Sequence, residues 1–105
     1  MNYIENIERI KDYIDSHIES KLTAEELAAM EGYSVFHFCR VFKKETGKSL
    51  MSYVREVRLE LAAKDIENGE AALDVAIKYG FDTQSGFSRA YKRRFGERPS
   101  HKVNI

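Results

Sequence analysis

Apolar residues recur every three or four positions along most of this chain, the spacing that places side chains on one side of an α-helix. In the first stretch, residues 3–20, the recurring positions are Tyr3, Ile7, Ile10, Ile14 and Ile18. No stretch of useful length alternates apolar and polar residues as a half-buried β-strand does. The pattern therefore predicts an all-α fold.

Capping residues and glycines divide the rest of the chain into further helices. Thr23 and Glu26 form a capping box that begins a short helix, and Gly32 ends it. Ser34 begins a helix of about 35–46 that ends at Gly47. The later predicted elements are a long helix of about 50–68, a short helix of about 72–79, a helix of about 83–94 capped by Asp82, and a last short turn starting at Pro99. Together these make seven helices.

Two segments of the chain repeat the same order of residues. Gly32 and Gly80 are 48 positions apart, and Arg40 and Arg89 are 49 apart. Each copy consists of a short helix, a glycine turn and a second helix with basic residues near its end, which is typical of a helix-turn-helix. We therefore expect residues 1–105 to form one domain of two helix-turn-helix subdomains. Their predicted bounds are about 22–47 and 72–96, joined by a linker helix of about 50–68.

The charges alternate along the chain, although the net charge is zero. Residues 1–31 hold 3 basic and 8 acidic side chains, whereas 32–58 hold 6 and 2. Residues 59–82 hold 2 and 6, and 83–105 hold 6 and 1. Both positive blocks coincide with the second helix of a repeat. Because salt screens charges over about 10 Å, a polyphosphate responds to these local blocks more than to the total. Solvated helix faces of alternating sign are the simpler alternative.

The side of each second helix that faces away from the predicted core carries groups able to read DNA bases. Phe38, Val41 and Phe42 are predicted core in the first copy, and Phe87, Ala90 and Tyr91 in the second. The candidate base-contacting residues on the opposite sides are Phe36, Cys39, Arg40, Gln84, Ser85, Ser88 and Arg89. Arginine pairs with guanine and glutamine with adenine through two hydrogen bonds each. Phe36 suits a thymine methyl or a sugar, or else packs on a neighbouring helix.

Other residues of these helices suit the DNA backbone. Amide groups at the helix starts near Ser34 and Asp82 can bind phosphate, and His37 lies close to the first of these starts. The candidate phosphate-contacting residues are Ser34, His37, Lys43, Lys44, Lys92 and Arg93. Arg94 is open to two roles, a phosphate contact or an ion pair within the chain.

The second repeat closely resembles the signature of the AraC/XylS family of bacterial transcription regulators. The matching residues are Gly80-Phe81, Gln84-Ser85, Phe87-Ser88-Arg89, Tyr91-Lys92, Phe95-Gly96 and Pro99-Ser100. The first repeat, from Leu22-Thr23 to Gly47, is similar to the family's first helix-turn-helix, so that the resemblance covers about residues 5–102.

This resemblance implies a regulator that binds double-stranded promoter DNA through two recognition helices in successive major-groove segments. It places the base contacts at Phe36, Cys39, Arg40, Ser85, Ser88 and Arg89. It also implies transcriptional activation through RNA polymerase. Cys39 departs from the Gln or Ser that is frequent at its position, which favours weak or apolar readout and a buried or half-buried thiol. Ala72 stands where a capping Ser is common in the family.

The resemblance leaves open whether the chain is complete. Family members often carry a separate ligand-sensing or dimerisation domain, and 105 residues leave no room for one. Met1 favours a chain that nothing precedes, either a stand-alone monomeric regulator or the DNA-binding part of a longer protein.

Other functions find less support in the sequence. His17, His37 and His101 lie far apart, and no catalytic, metal-binding or nucleotide-binding motif occurs, so we expect neither an enzyme nor a cofactor. The alternative is a helical module that binds protein or RNA without reading DNA sequence. The single Cys39 and the lack of a membrane-spanning run favour a cytoplasmic protein without membrane contact.

Overall fold

The computed structural model describes residues 3–99, with side chains from Glu5 onward, and this part contains α-helices and connecting turns but no β-strand. Its six helices are α1 (Tyr3–Ser16), α2 (Ala24–Met30), α3 (Val35–Thr46), α4 (Leu50–Glu67), α5 (Ala72–Lys78) and α6 (Gln84–Phe95). The all-α prediction is confirmed for these residues. Six of the seven predicted helices are observed, because the last predicted turn, which begins at Pro99, continues into residues 100–105, which lie outside the described residues.

The first helix is shorter than predicted. α1 ends at Ser16, whose hydroxyl donates to the carbonyl of Asp12, 2.8 Å away. Ile18 is nevertheless buried, with 6% of its surface exposed. The apolar spacing extends to Ile18, beyond the end of the helix, because a side chain can be buried without a helical backbone.

The chain divides into two compact units, the first ending at Arg55 and the second beginning at Glu56. In the first unit, α1 and α2 both pack on α3. Phe38 and Phe42 of α3 are fully buried, with their ring centroids 6.2 Å apart, and Tyr53 meets Phe42 edge-on at 5.7 Å. The predicted core side of this helix, which includes Val41, is confirmed.

The second unit repeats this arrangement with α5 packed on α6. Phe87 is fully buried and has Phe81 and Tyr91 edge-on at 5.1 and 5.7 Å. Tyr91 in turn contacts Phe95 at 4.6 Å. Phe87 and Tyr91 are buried as predicted, whereas Ala90 is half-buried. Each unit thus has an aromatic core along one side of its 12-residue helix.

The same turn ends α2 and α5. Gly32 and Gly80 have φ of 74° and 79°, in the left-handed region where a side chain is unfavourable. The amide of Gly80 donates to the carbonyl of Ile77, and the amide of Phe81 to that of Ala76. Gly32 and the following residue make the equivalent bonds. This is a Schellman motif, which satisfies the last helical carbonyls while reversing the chain.

The start of α6 differs by one residue from the prediction. The N-cap is Thr83, whose hydroxyl accepts from the amide of Gly86 at 2.9 Å, and Asp82 lies before it. Ser34 caps α3 as predicted, accepting from the amide of His37 at 3.1 Å. Thr83 follows Ser34 by 49 residues, the same step that separates the two arginines, so the additional residue of the second copy lies in the turn before the cap.

The start of α5 has no side-chain cap, and its position also differs by one residue. The N-cap is Ala71 in an extended conformation, whereas Ala72 is already the first helical residue. Ala72 is therefore not at the capping position that the sequence analysis assigned to it.

The apolar spacing of the long helix α4 predicts one buried stripe of Leu50, Val54, Val57, Leu61 and Ile66, but the structure buries a different set. Leu50, Val54 and Ile66 are buried as expected, but Leu59 and Ala62 take the place of Val57 and Leu61, which are half-buried. The spacing of five from Val54 to Leu59 coincides with the division between the units after Arg55. The apolar stripe is therefore two stripes, one for each unit.

Within the second unit, a cluster of ion pairs connects α5 with the end of α4. Lys78 Nζ lies 2.9 Å from Asp65 and 3.1 Å from Glu70, and the Tyr79 hydroxyl donates to Asp65 at 2.7 Å. Hydrogen bonds to Asp65 and Glu70 raise the pKa of Lys78. Lys78 is thus engaged within the fold.

None of the helices in residues 3–99 combines the length and apolar character needed to cross a lipid bilayer.

The uncapped start of α5 predicts a stabilising substitution. Ala71→Ser should raise the free energy of unfolding by about 1 kcal/mol, because its hydroxyl can accept from an amide of the first helical turn. Ala72→Ser is the matched control, since a first helical residue cannot cap, and it should not stabilise. Urea unfolding of the two variants and the parent measures the difference. A larger gain from Ala72→Ser would place the cap at residue 72 instead.

The left-handed turn at Gly80 predicts that two substitutions there lower the free energy of unfolding by different amounts. Gly80→Ala should lower the free energy of unfolding by about 1–2 kcal/mol, because alanine is strained at positive φ. Space is not limiting, since a Cβ there would lie 4.0 Å from its nearest neighbour, Arg58 Nη1. Gly80→Asn should cost less, because asparagine tolerates this conformation. Equal costs in urea unfolding would argue against backbone strain as the cause.

Candidate nucleic-acid interface

The outward side of α3, here called the α3 face, consists of Phe36, Cys39, Arg40 and Lys43. Phe36 and Arg40 are one helical turn apart, and the guanidinium carbon of Arg40 lies 5.6 Å from the centre of the Phe36 ring. Phe36 is 73% exposed, so it does not pack on a neighbouring helix. Cys39 is a free, half-buried thiol between them. The α3 face therefore presents an aromatic ring and a guanidinium group next to each other.

The outward side of α6, the α6 face, consists of Gln84, Ser85, Ser88, Arg89 and Lys92. Gln84, Ser85 and Arg89 are exposed, and Ser88 is half-buried. Arg89 is six residues after the cap Thr83, as Arg40 is six residues after the cap Ser34. The two arginines therefore occupy equivalent positions on their helices, one with an aromatic neighbour and one among hydroxyl and amide groups.

Basic side chains are concentrated in the last turn of both helices. Lys43 and Lys44 of α3 and Lys92 and Arg93 of α6 are all exposed. The ion pairs of residues 5–99 leave these four side chains without a carboxylate partner. They are therefore available to bind an external anion.

Arg94 differs from its basic neighbours, because it takes the intramolecular role that the sequence left open. Its Nη2 lies 3.4 Å from Glu60 Oε2, and its guanidinium carbon lies 4.9 Å from the Phe95 ring.

The start of α3 is held by local contacts. Ser34 caps it, and the ring of His37 meets the ring of Tyr33 edge-on at 5.0 Å. The first amides of a helix that lack an intrahelical acceptor point outward and carry partial positive charge. Ser34 and His37 thus lie where an anion would meet these amides.

A groove of about 940 Å³ runs beside the α3 face in the first unit. Its apolar lining includes Val35, Phe36, Cys39 and Met51, and Arg40 and Lys43 contribute cationic groups. Val35 and Met51 were not among the predicted site residues, because neither side chain carries a group that hydrogen-bonds a base or a phosphate. They widen the apolar part of the α3 face.

Comparison with known proteins matches this arrangement over nearly the whole chain. A family model described as a helix-turn-helix domain matches residues 27–104. The multiple antibiotic resistance protein MarA of Salmonella typhimurium is 41% identical over 100 residues, which is 94% of this chain and 78% of the relative. The chain belongs to the AraC/XylS family.

Two solved structures have the same fold as this AraC/XylS-family chain. The C-terminal domain of AraT, a response regulator from Geobacillus stearothermophilus, is 31% identical, with a TM-score of 0.81 over 90% of this chain and 79% of that one. A probable AraC family regulator from Rhodopseudomonas palustris is 26% identical, with a TM-score of 0.85 over 94% of both chains. The family assignment makes this chain a sequence-specific DNA-binding transcription regulator whose partner is double-stranded DNA.

The described side chains of this AraC/XylS-family protein offer hydrogen-bond donors and cations but no metal site. Within that part of the chain, no three His, Cys, Asp or Glu residues come close enough to bind a metal ion. The two faces instead carry guanidinium, amide and hydroxyl groups, which match the edges of bases in a major groove.

The N-cap of α6, Thr83, was missed from the sequence. Asp82 and Thr83 are both good capping residues, and sequence preference alone does not separate them. The repeat does separate them, because the 49-residue step from Arg40 to Arg89 also connects Ser34 with Thr83.

Proposed function

We propose that α3 and α6 act as the two recognition helices and enter adjacent major-groove segments of one promoter. In this proposal the α3 face reads bases through Phe36, Cys39 and Arg40. The α6 face reads them through Gln84, Ser85, Ser88 and Arg89. The residues that hold phosphates are Ser34, His37, Lys43, Lys44, Lys92 and Arg93.

The observation that carries this proposal is the equivalence of the two exposed arginines. Arg40 and Arg89 each lie six residues into a 12-residue helix that follows a 7-residue helix and a left-handed glycine turn. Both helix-turn-helix units therefore expose a guanidinium at the same helix position. This equivalence favours two base-reading sites of the same kind. Arginine donates two hydrogen bonds to guanine O6 and N7, the commonest specific contact in the major groove.

The position of the lysines along each helix supports their assignment to the DNA backbone. Lys43 and Lys92 are three residues after the proposed base-reading arginines, in the last turn of their helices. Phosphate contacts fix the orientation of a helix in the groove, and base contacts provide sequence information. A cluster of exposed cations next to each arginine suits this division.

The unequal chemistry of the two faces favours an asymmetric target. Phe36 and Cys39 give the first face apolar surface, whereas Gln84, Ser85 and Ser88 give the second face hydrogen-bonding groups. A palindromic site would present identical half-sites to different side chains. We therefore propose that the protein binds as a monomer to two different half-sites.

The remaining parts of the proposal concern the protein as a whole. We propose a single DNA-binding domain over 1–105, with helix-turn-helix subdomains at about 22–47 and 72–96 and a linker helix at about 50–68. It acts in the cytoplasm as a non-enzymatic activator that contacts RNA polymerase. An effector or dimerisation domain would lie outside this chain.

Substitution of each arginine tests the assignment of base readers. Arg40→Ala or Arg89→Ala should weaken binding to the preferred duplex by about 1–3 kcal/mol and relax the preference at one base step. A binding selection on random duplexes followed by competition with single-base variants measures both effects. An equal loss on every sequence would make the side chain a phosphate contact.

Arg40→Lys and Arg89→Lys are the matched controls for these experiments. Lysine keeps the positive charge but lacks the rigid, planar pair of donors with which a guanidinium matches guanine O6 and N7. Each lysine variant should therefore lose the base preference while retaining most affinity for unrelated duplexes. Full retention of preference by the lysine variants would contradict bidentate reading of guanine.

The salt dependence of the DNA affinity tests whether Lys92 contacts a phosphate. Lys92→Ala should weaken binding to all duplexes alike and reduce the slope of log affinity against log salt by about 1, because one fewer counterion is released. Arg94→Ala is the control, since Arg94 is paired with Glu60 and should change the slope less. Titrations of one labelled duplex at several salt concentrations measure the slope. An unchanged slope for Lys92→Ala would remove Lys92 from the interface.

A further inference from the structure

We propose that the α3 face senses the C5 methyl group of the pyrimidine in the base pair beside the guanine that Arg40 contacts. Methylation of cytosine at that position would then strengthen binding, as thymine does. The inference rests on the proposed function, because it concerns the base pair next to the one that Arg40 reads.

The exposure of Phe36 indicates a role in contact and not in folding. Its 73% is the highest value among the exposed large apolar side chains of the described residues. The equivalent position of the second copy, 49 residues later, is Ser85, which is also exposed in a helix of equal length. The fold therefore accepts a small polar residue there, and burying the Phe36 ring against a partner would remove apolar surface from water.

The contact between Phe36 and Arg40 fixes where the ring would lie on DNA. The guanidinium carbon is 5.6 Å from the ring centre, within the range of a cation–π interaction. A guanidinium that pairs with guanine through two bonds lies close to the plane of that base. A ring against the guanidinium then lies at the level of the next base pair, against its major-groove edge.

Only one chemical group on that edge suits an aromatic ring. Amino groups, carbonyl oxygens and N7 atoms would lose water to the ring without gaining a hydrogen bond, which is unfavourable. The thymine C5 methyl is the apolar group of the major groove. 5-Methylcytosine carries the same methyl at the same ring position, so the Phe36 ring cannot separate the two by this contact. The half-buried Cys39 and the groove residues Val35 and Met51 extend the apolar surface around it.

The second face provides an internal comparison. Arg89 has Ser85 one turn before it, where Arg40 has Phe36, and a serine hydroxyl gains nothing comparable from a methyl group. We therefore expect the methyl effect only in the part of the target that the α3 face reads. The same duplex thus contains both the test position and its control.

The experiment uses a duplex obtained by selection from random sequences, with the α3 half identified as the half whose preference Arg40→Ala relaxes. In each base pair beside the guanine in that half, thymine is replaced by uracil, which removes only the methyl. Cytosine is placed there and compared with 5-methylcytosine, which adds only the methyl. Dissociation constants are measured at one salt concentration, and the same replacements are made in the α6 half.

The wild-type chain should bind about three- to fivefold more weakly when uracil replaces thymine, the effect expected for one buried methyl group. It should bind more tightly by a similar factor when 5-methylcytosine replaces cytosine. Replacements in the α6 half should change affinity much less.

Two variants show which side chain is responsible. Phe36→Ser introduces the residue of the second copy and should reduce both methyl ratios to about one, while Arg40 still prefers its guanine. Met30→Ala removes another exposed apolar side chain of the same unit, 45% exposed, and should keep both ratios. Circular dichroism confirms that both variants are folded.

The other outcomes separate this inference from the function on which it rests. Equal wild-type affinity for methylated and unmethylated pyrimidines at both neighbouring base pairs would overturn the inference and leave the reading of guanine intact. A methyl effect that persists in Phe36→Ser would overturn it as well, by assigning the methyl to another side chain. Failure of the selection to enrich any sequence would instead contradict the proposed function.

Discussion

The left-handed turn at Gly32 and Gly80 is the constraint on which each unit depends. It ends the 7-residue helix, satisfies the last carbonyls and returns the chain so that the following helix packs its aromatic side inward. Once Phe38 or Phe87 is buried, the opposite side of a 12-residue helix must face outward. The arginines are therefore exposed as a geometric consequence of a turn made several residues earlier, and their own chemistry is free to serve recognition.

The aromatic positions and most caps could be predicted from the sequence because their signals are local. Ser34 is a good capping residue beside a poor one, Val35, and the structure agrees. Asp82 and Thr83 are two good capping residues in succession, so local preference does not choose between them, and only the 49-residue step of the repeat from Ser34 points to Thr83. The predicted end of the first helix was wrong for a similar reason, since Ile18 is buried without being helical.

The core side of α4 could not be predicted, because one helix serves two cores. A single amphipathic stripe would run on from Val54 to Val57 and Leu61, whereas the structure buries Leu59 and Ala62. No glycine or proline marks the division after Arg55. The exposure of the proposed site residues could be predicted, because it follows from the helix period. Which bases they would contact could not be predicted, because that depends on the geometry of the DNA.

The equal dimensions of the two copies make the recognition surface modular. The helices α3 and α6 each have 12 residues between a hydroxyl cap and a left-handed glycine, Ser34 to Gly47 and Thr83 to Gly96. The extra residue of the second copy lies outside this span, so a cassette from cap to glycine can be exchanged without shifting which side is buried. The outer positions of the two copies can therefore differ, as Phe36 and Ser85 do, while the inner positions Phe38 and Phe87 keep the same aromatic packing.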